Sequence, residues 1–228
     1  MFLRSDNTLK WNWIAVGFAA TAALCLGGIF WLDKSVYLFM RGFDWVGLRV
    51  LDDVFSTKAW LVFGAVWTGI FFIKNLVKSD KKSEKQKFSF KRFLTNFIAK
   101  SKSNPGFLIL CSVVAASLVG GALKVLIGRA RPIFFDALGQ TGFYPLNFDW
   151  AFNSMPSGHA AASFAGLVMM GMLFPKIKPA TWTIAIIIGA SRVCYGAHWP
   201  TDVILGAFIG MVAADIIKCK YNDESAGV

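Results

Sequence analysis

Several uncharged apolar runs in this chain are close to twenty residues long, and they restrict its fold more than any other feature. That is the length at which a helix crosses the hydrocarbon core of a bilayer. The composition agrees. The chain is 56% hydrophobic and 16% charged, with a mean hydropathy of +0.54. A soluble domain carries about a quarter charged residues. The sequence therefore predicts an all-α, polytopic membrane protein with six spans, at 13–32, 58–77, 106–127, 158–174, 180–197 and 202–218. The first run is too long for the apolar region of a secretion signal. Leu24 before Cys25 also argues against lipoprotein processing, so the span is taken as retained. No internal repeat divides the chain, and residues 1–228 read as one domain.

The net charge of +11 would suggest nucleic acid in a soluble protein. Here the charge is concentrated in one connecting segment and reports topology, so no nucleic-acid partner is expected. Residues 74–104 carry Lys74, Lys78, Lys81, Lys82, Lys85, Lys87, Lys91, Arg92, Lys100 and Lys102 against Asp80 and Glu84. Short basic loops stay in the cytoplasm. Phe90, Phe93, Leu94, Phe97 and Ile98 within it follow helical spacing, which makes a basic amphipathic helix suited to anionic lipid headgroups. A plain topogenic anchor gives the same pattern. With this segment inside, both termini and Lys176 and Lys178 are cytoplasmic as well. Residues 33–57 then lie outside. Their apolar positions, among them Val36, Phe39, Met40, Phe43, Val46 and Val50, predict one or two amphipathic helices at the interface. Cys25, Cys111, Cys194 and Cys219 form no close pair, so neither a disulfide framework nor a zinc site is indicated.

On the outer side, Lys124, Arg129, Arg131 and Arg192 gather at the ends of spans three and five. Charge at a membrane boundary costs free energy unless it is paired or used. Lys124 and Arg131 are seven residues apart at the frayed end of a helix and can form a cationic clamp, a point charge beside a planar fork. Arg129 falls out of that register and reads as a snorkelling residue. Ser157 is a natural N-cap between Pro156 and Gly158, which leaves outward N–H groups suited to an anion. His159, in the first turn, can donate a proton to a leaving oxygen. In the stretch 191–202, Arg192 is followed by His198, and Thr201 can cap the last span. Asp202, four residues after His198, can accept from one imidazole nitrogen and leave the other as a nucleophile. Each cluster alone also fits boundary residues, a capping turn or a carboxylate on a helix dipole. Together they share one membrane face, fixed independently by the lysine distribution, and they include both histidines of the chain.

Lys124-x6-Arg131-Pro132, then Pro156-Ser157-Gly158-His159, then Ser191-Arg192-x5-His198-x3-Asp202 resembles the three-part signature of the type 2 phosphatidic acid phosphatase superfamily. The resemblance covers about residues 105–218, the expected catalytic core. It implies that His198 attacks phosphorus to form a phosphohistidine, with Asp202 orienting it. His159 would protonate the leaving oxygen and then activate water. Lys124, Arg131, Ser157, the Gly158 N–H and Arg192 would hold the non-bridging oxygens. Phosphoryl transfer depends on positioning and charge stabilisation, which cations supply, so no metal and no other cofactor is expected.

The implied activity is a lipid phosphatase or pyrophosphatase on the periplasmic face of a bacterial inner membrane. Candidate substrates are lipid A phosphate, phosphatidylglycerol phosphate, undecaprenyl pyrophosphate and phosphatidate, with lipid A slightly favoured. No protein partner is implied. A phosphotransferase using the same intermediate is one alternative, and a non-catalytic lipid-binding or transport protein is another. The aromatic loop 133–155 is expected to roof the site and help select the lipid. A neutral His198 with a protonated His159 predicts a bell-shaped pH profile.

Overall fold

The computed structural model describes residues 2–4, 8–43, 46–80 and 104–223. Nine α-helices occur among them. In order they are α1 (Trp11–Gly27), α2 (Asp33–Met40), α3 (Val46–Val54), α4 (Thr57–Asp80), α5 (Pro105–Ile127), α6 (Pro132–Leu138), α7 (Gly158–Leu173), α8 (Lys178–Cys194) and α9 (Pro200–Asp223). No strand is present among the described residues, only isolated bridges such as Arg129 with Phe143. The basic amphipathic helix expected around Phe90–Ile98 lies outside the described residues.

The helix at the centre is α7, with 11 of its 16 residues buried. Its alanines and glycines present little side chain in any direction, so α9, α5, α8 and α4 all pack against it. The closest approach is from α9. A Cβ on Gly206 would run into the Ser157 carbonyl oxygen, and one on Gly210 into that of Ala161. Small residues four apart let two backbones meet, as they do in membrane helix pairs. Around this contact lies a core of Trp60, Ile109, Val113, Phe164, Met169, Ile188 and Ala214. Ser163 donates to the Phe55 carbonyl and accepts from Trp60 Nε1, which ties α4 to α7 without an orphaned hydroxyl.

The outer sides of the bundle are apolar. Phe18, Leu24 and Leu26 on α1, Val62 and Ile73 on α4, and Leu118 on α5 are all exposed, a surface that a bilayer core solvates. By length and apolarity, two runs among the described residues are sized to cross a membrane, Trp11–Phe43 and Pro105–Ile127. Gly158–Leu173 is apolar but shorter.

The helices depart from the expected spans in two informative places. The first span does not end at residue 32. It continues through a π-turn at Gly28–Leu32 into α2 and a 3-10 turn at Arg41–Phe43. The stretch 33–57 does yield two helices, α2 and α3, but Asp33 is buried at 3% exposure rather than facing the interface. Span five ends three residues early, at Cys194, because residues 195–199 turn back towards α9.

Candidate active site

The site is built around the C-terminal end of α5. Asn104 caps that helix at its start by accepting from Gly106 N, and Gly128, at φ 60°, ends it in the left-handed conformation that suits glycine. Beyond Gly128 the chain is extended, and the aromatic loop folds back on both its edges. Tyr144 N donates to Gly128 O, Ala130 N to Gly142 O, Ser154 N to Arg129 O and Arg131 N to Ala151 O. The loop expected as a roof thus bonds to residues 128–131 along both edges. Its aromatics pack on one another, with Phe134 on Phe152 and Tyr144 on Phe152. Phe148 and Trp150 stay exposed.

Lys124 and Arg131 converge, although not along one helix face. Lys124 Nζ donates to Asn153 O at 2.7 Å and lies 3.4 Å from Ser154 O. Arg131 donates to Trp150 O, Ala197 O and Asn153 O, at 2.9, 2.9 and 3.2 Å. Its guanidinium lies 4.1 Å from the centroid of the Trp150 ring. Burial, reinforced by the charge of Arg192, depresses Arg131 to about 10, with Asp202 opposing. Arg192 is therefore within electrostatic reach of the clamp. Its guanidinium lies 5.8 Å from the Tyr195 ring centroid, and its carbonyl accepts from Ala197 N and His198 N.

Ser157 caps α7 as expected, its hydroxyl accepting from Ala160 N at 3.4 Å. Its own N–H donates to Asp202 O, joining the starts of α7 and α9. A Cβ on Gly158 would sit 3.6 Å from Lys124 Cε, so the lysine passes directly over the start of α7. His159 occupies the first turn of α7 and is half-buried.

His198 and Asp202 are both buried, and His198 Nδ1 faces Asp202 Oδ2 at 3.6 Å. The expected hydrogen bond is not closed in this structure, because Nδ1 has no partner. The Asp202 carboxylate is held by other donors. Ser154 Oγ reaches Oδ2 at 2.5 Å, Trp199 N reaches Oδ2 at 2.9 Å, and Arg129 reaches Oδ1 at 2.6 Å. Burial pushes His198 down to about 3. Asp202 opposes this, and the charges of Lys124 and Arg131 add to it. The imidazole is thus neutral at physiological pH, with Nε2 as the nitrogen turned away from Asp202.

Two assignments made from the sequence are corrected. Arg129 does not snorkel. It is buried and bridges Asp202 and Asp33, each at 2.6 Å. Burial disfavours its charge, but Asp202 and Asp33 outweigh this and raise it above arginine's usual value. Thr201 does not cap α9 either, because the helix starts at Pro200 with Trp199 before it. Tryptophan has no oxygen to offer, so other residues supply the cap. Asp202 accepts from Trp199 N, and Asp33 accepts from both Thr201 N and Thr201 Oγ1. Asp33, Ser154 and Asn153 were not singled out from the sequence, and Arg129 was given no part in the site. Arg129 left one signal, a boundary charge without an assigned partner.

The PAP2 superfamily model matches residues 105–225. The chain is similar to the lipid A 1-phosphatase of Rhizobium etli, at 40% identity over 105 residues, which is 46% of this chain and 45% of that protein. It is also similar to the undecaprenyl-diphosphatase of Sulfolobus acidocaldarius, at 33% identity over 117 residues, 50% of this chain and 53% of that protein. The crystal structure of Aquifex aeolicus LpxE matches 83% of this chain and 95% of that chain, at 23% identity and a TM-score of 0.45. The chain spans about half the length of these curated relatives.

Proposed function

Because the chain belongs to the PAP2 superfamily, we propose that it is a membrane lipid phosphatase that works through a phosphohistidine, without a metal. One observation carries this reading: Lys124 and Arg131 converge on the carbonyls of residues 150–154, beside the start of α7 and the His198–Asp202 pair. Those carbonyls are neutral acceptors. A phosphate presents the same kind of acceptor with negative charge, so it competes favourably for both cations.

In the first step, the His198 Nε2 lone pair attacks phosphorus in line. The bond from phosphorus to the leaving oxygen breaks, and His159 gives that oxygen its proton. Lys124, Arg131, Arg192, Ser157 and the Gly158 N–H hold the non-bridging oxygens as charge builds. Asp202 balances the imidazolium that forms. In the second step, water attacks phosphorus, its proton passes to His159, and the P–N bond breaks to give phosphate and neutral His198. Each step is positioning and charge stabilisation, the terms that dominate phosphoryl transfer.

The favoured substrate is the phosphate of lipid A, supported by the 40% identity to a lipid A 1-phosphatase. Phosphatidylglycerol phosphate, undecaprenyl pyrophosphate and phosphatidate complete the panel to be tested. The proposed setting is a bacterial inner membrane crossed by six spans, with cytoplasmic termini, a periplasmic site and anionic lipids at the basic segment 74–104. The decisive experiment measures phosphate release by pure protein in detergent, on all four lipids, with and without a chelator. Release that survives chelation is expected, and no release from any of them would sink the proposal. Labelled phosphate that stays in lipid would redirect it to phosphotransfer.

A further inference from the structure

The Asp202 carboxylate is the group on which the proposed nucleophile depends, and its surroundings extend beyond the phosphate site. Its Oδ1 is bound by Arg129 Nη1 at 2.6 Å. The same nitrogen is 2.7 Å from Thr201 Oγ1, and Nη2 is 2.6 Å from Asp33 Oδ2. Asp33 also holds Thr201 N at 3.0 Å and Thr201 Oγ1 at 2.6 Å. All four side chains are buried. The guanidinium is further enclosed by the rings of Trp199 and Phe143, whose centroids lie 5.4 and 5.6 Å away.

Taking ions this far from water is expensive, and a hydrophobic set of the same shape often gives equal or better stability. The arrangement therefore needs another reason. Asp33, Arg129 and Asp202 together carry one net negative charge. That charge is neutralised when His198 becomes cationic on attacking phosphorus. Without Arg129, the two buried carboxylates would lose the cation between them, and one of the two would be driven towards its protonated form.

We propose that Arg129 and Asp33 are positioning residues for catalysis: Arg129 fixes the charge and orientation of Asp202 towards His198, and Asp33 holds Arg129 in place. This rests on the reading of His198 as nucleophile. It assigns the N-terminal helical run a part in the site, because Asp33 lies outside the matched residues 105–225. Neither residue touches the phosphate site, so their loss acts on the chemical step and not on lipid binding.

The test uses the full chain in detergent, on the same four lipids, with the variants D33N, R129M, D33N/R129M and H198A. R129M is expected to lower kcat roughly 10- to 100-fold with KM changed less than about threefold, the size of coupling found between side chains in direct contact. D33N should show a smaller fall of the same kind. The double variant removes both charges, so its melting temperature should recover towards wild type while kcat stays as low as in R129M. The inference is overturned if kcat recovers along with stability, because the pair then serves folding alone. It is also overturned if R129M and D33N both keep full kcat while H198A is dead. Turnover by H198A would instead overturn the nucleophile assignment, and this inference with it.

Discussion

Lys124 Nζ and Arg131 Nη2 donate to one carbonyl oxygen, that of Asn153, at 2.7 and 3.2 Å. The two cations come from different kinds of backbone, the last turn of a helix and the extended chain beyond it, yet they end on the same acceptor. The proposed phosphate would meet donors already aimed at an oxygen. K124A and R131A are each expected to lower kcat/KM by roughly 100- to 1,000-fold, as loss of a single oxyanion donor does. R131K should recover little, because a lysine cannot serve three carbonyls in the plane of a guanidinium. Steady-state kinetics on the most active lipid of the panel checks both.

The pH profile should be lopsided rather than a symmetrical bell. Burial holds His198 neutral down to about 3, so protonation of the proposed nucleophile is not expected to cut the rate in mild acid. In the proposed mechanism His159 must carry a proton to give to the leaving oxygen, so a fall is expected on the alkaline side. H159Q should lose that alkaline limb together with most of its rate. Stability follows the opposite edge. The unfolded imidazole takes up a proton below 6.5 while the folded one does not, so stability is complete above 6.5 and declines as pH falls towards 3. Melting curves in detergent at pH 7 and pH 5 test this, with H198A as the control that lacks the effect.

Gly206 sets the distance between α9 and the carbonyl of Ser157. G206L should push the two helices apart, at a cost of about 1–3 kcal/mol. Because Ser157 N also bonds Asp202 O, the same displacement disturbs the start of both helices. The variant should therefore lose activity at temperatures where it is still folded, as a comparison of melting and kinetics will show.

Trp150 lies over the Arg131 guanidinium at 4.1 Å and is otherwise exposed. A contact of this kind contributes about 0.5–1 kcal/mol at an exposed position. W150A is expected to raise KM about two- to fivefold and to change kcat less, measured on the same lipid.

Which parts of this could be read from the sequence depends on how local their causes are. The start of α7 was legible because Pro156, Ser157 and Gly158 define a cap within three residues, and the helix begins at Gly158. The proposed set of Lys124, Arg131, His198 and Asp202 could be picked out because the chain has only two histidines and few basic residues outside its central basic segment. Arg129 was misplaced because helical register was carried past Ile127. Gly128 ends that register, and in the extended chain beyond it Arg129 turns inward to Asp202. The cap of α9 was misplaced by two residues, at Thr201 instead of Trp199, because Pro200 takes the first helical position, where its missing N–H costs nothing. Asp33 left no local trace, since its partner Thr201 is 168 residues away.

The packing of α7 against α9 also sets an order of events during synthesis. The central helix emerges well before the last one, yet Ser157 N and Arg129 both bond Asp202, and Phe2 N bonds Asp215 near the other end of α9. Until α9 has left the ribosome, the core helix lacks its closest neighbour and the site lacks its carboxylate. Arg129 has no Asp202 to bind until that segment arrives. Such long sequence separations are slow to close. Of the described helices, α9 is therefore the one whose arrival gives both the core and the candidate site their closing contacts.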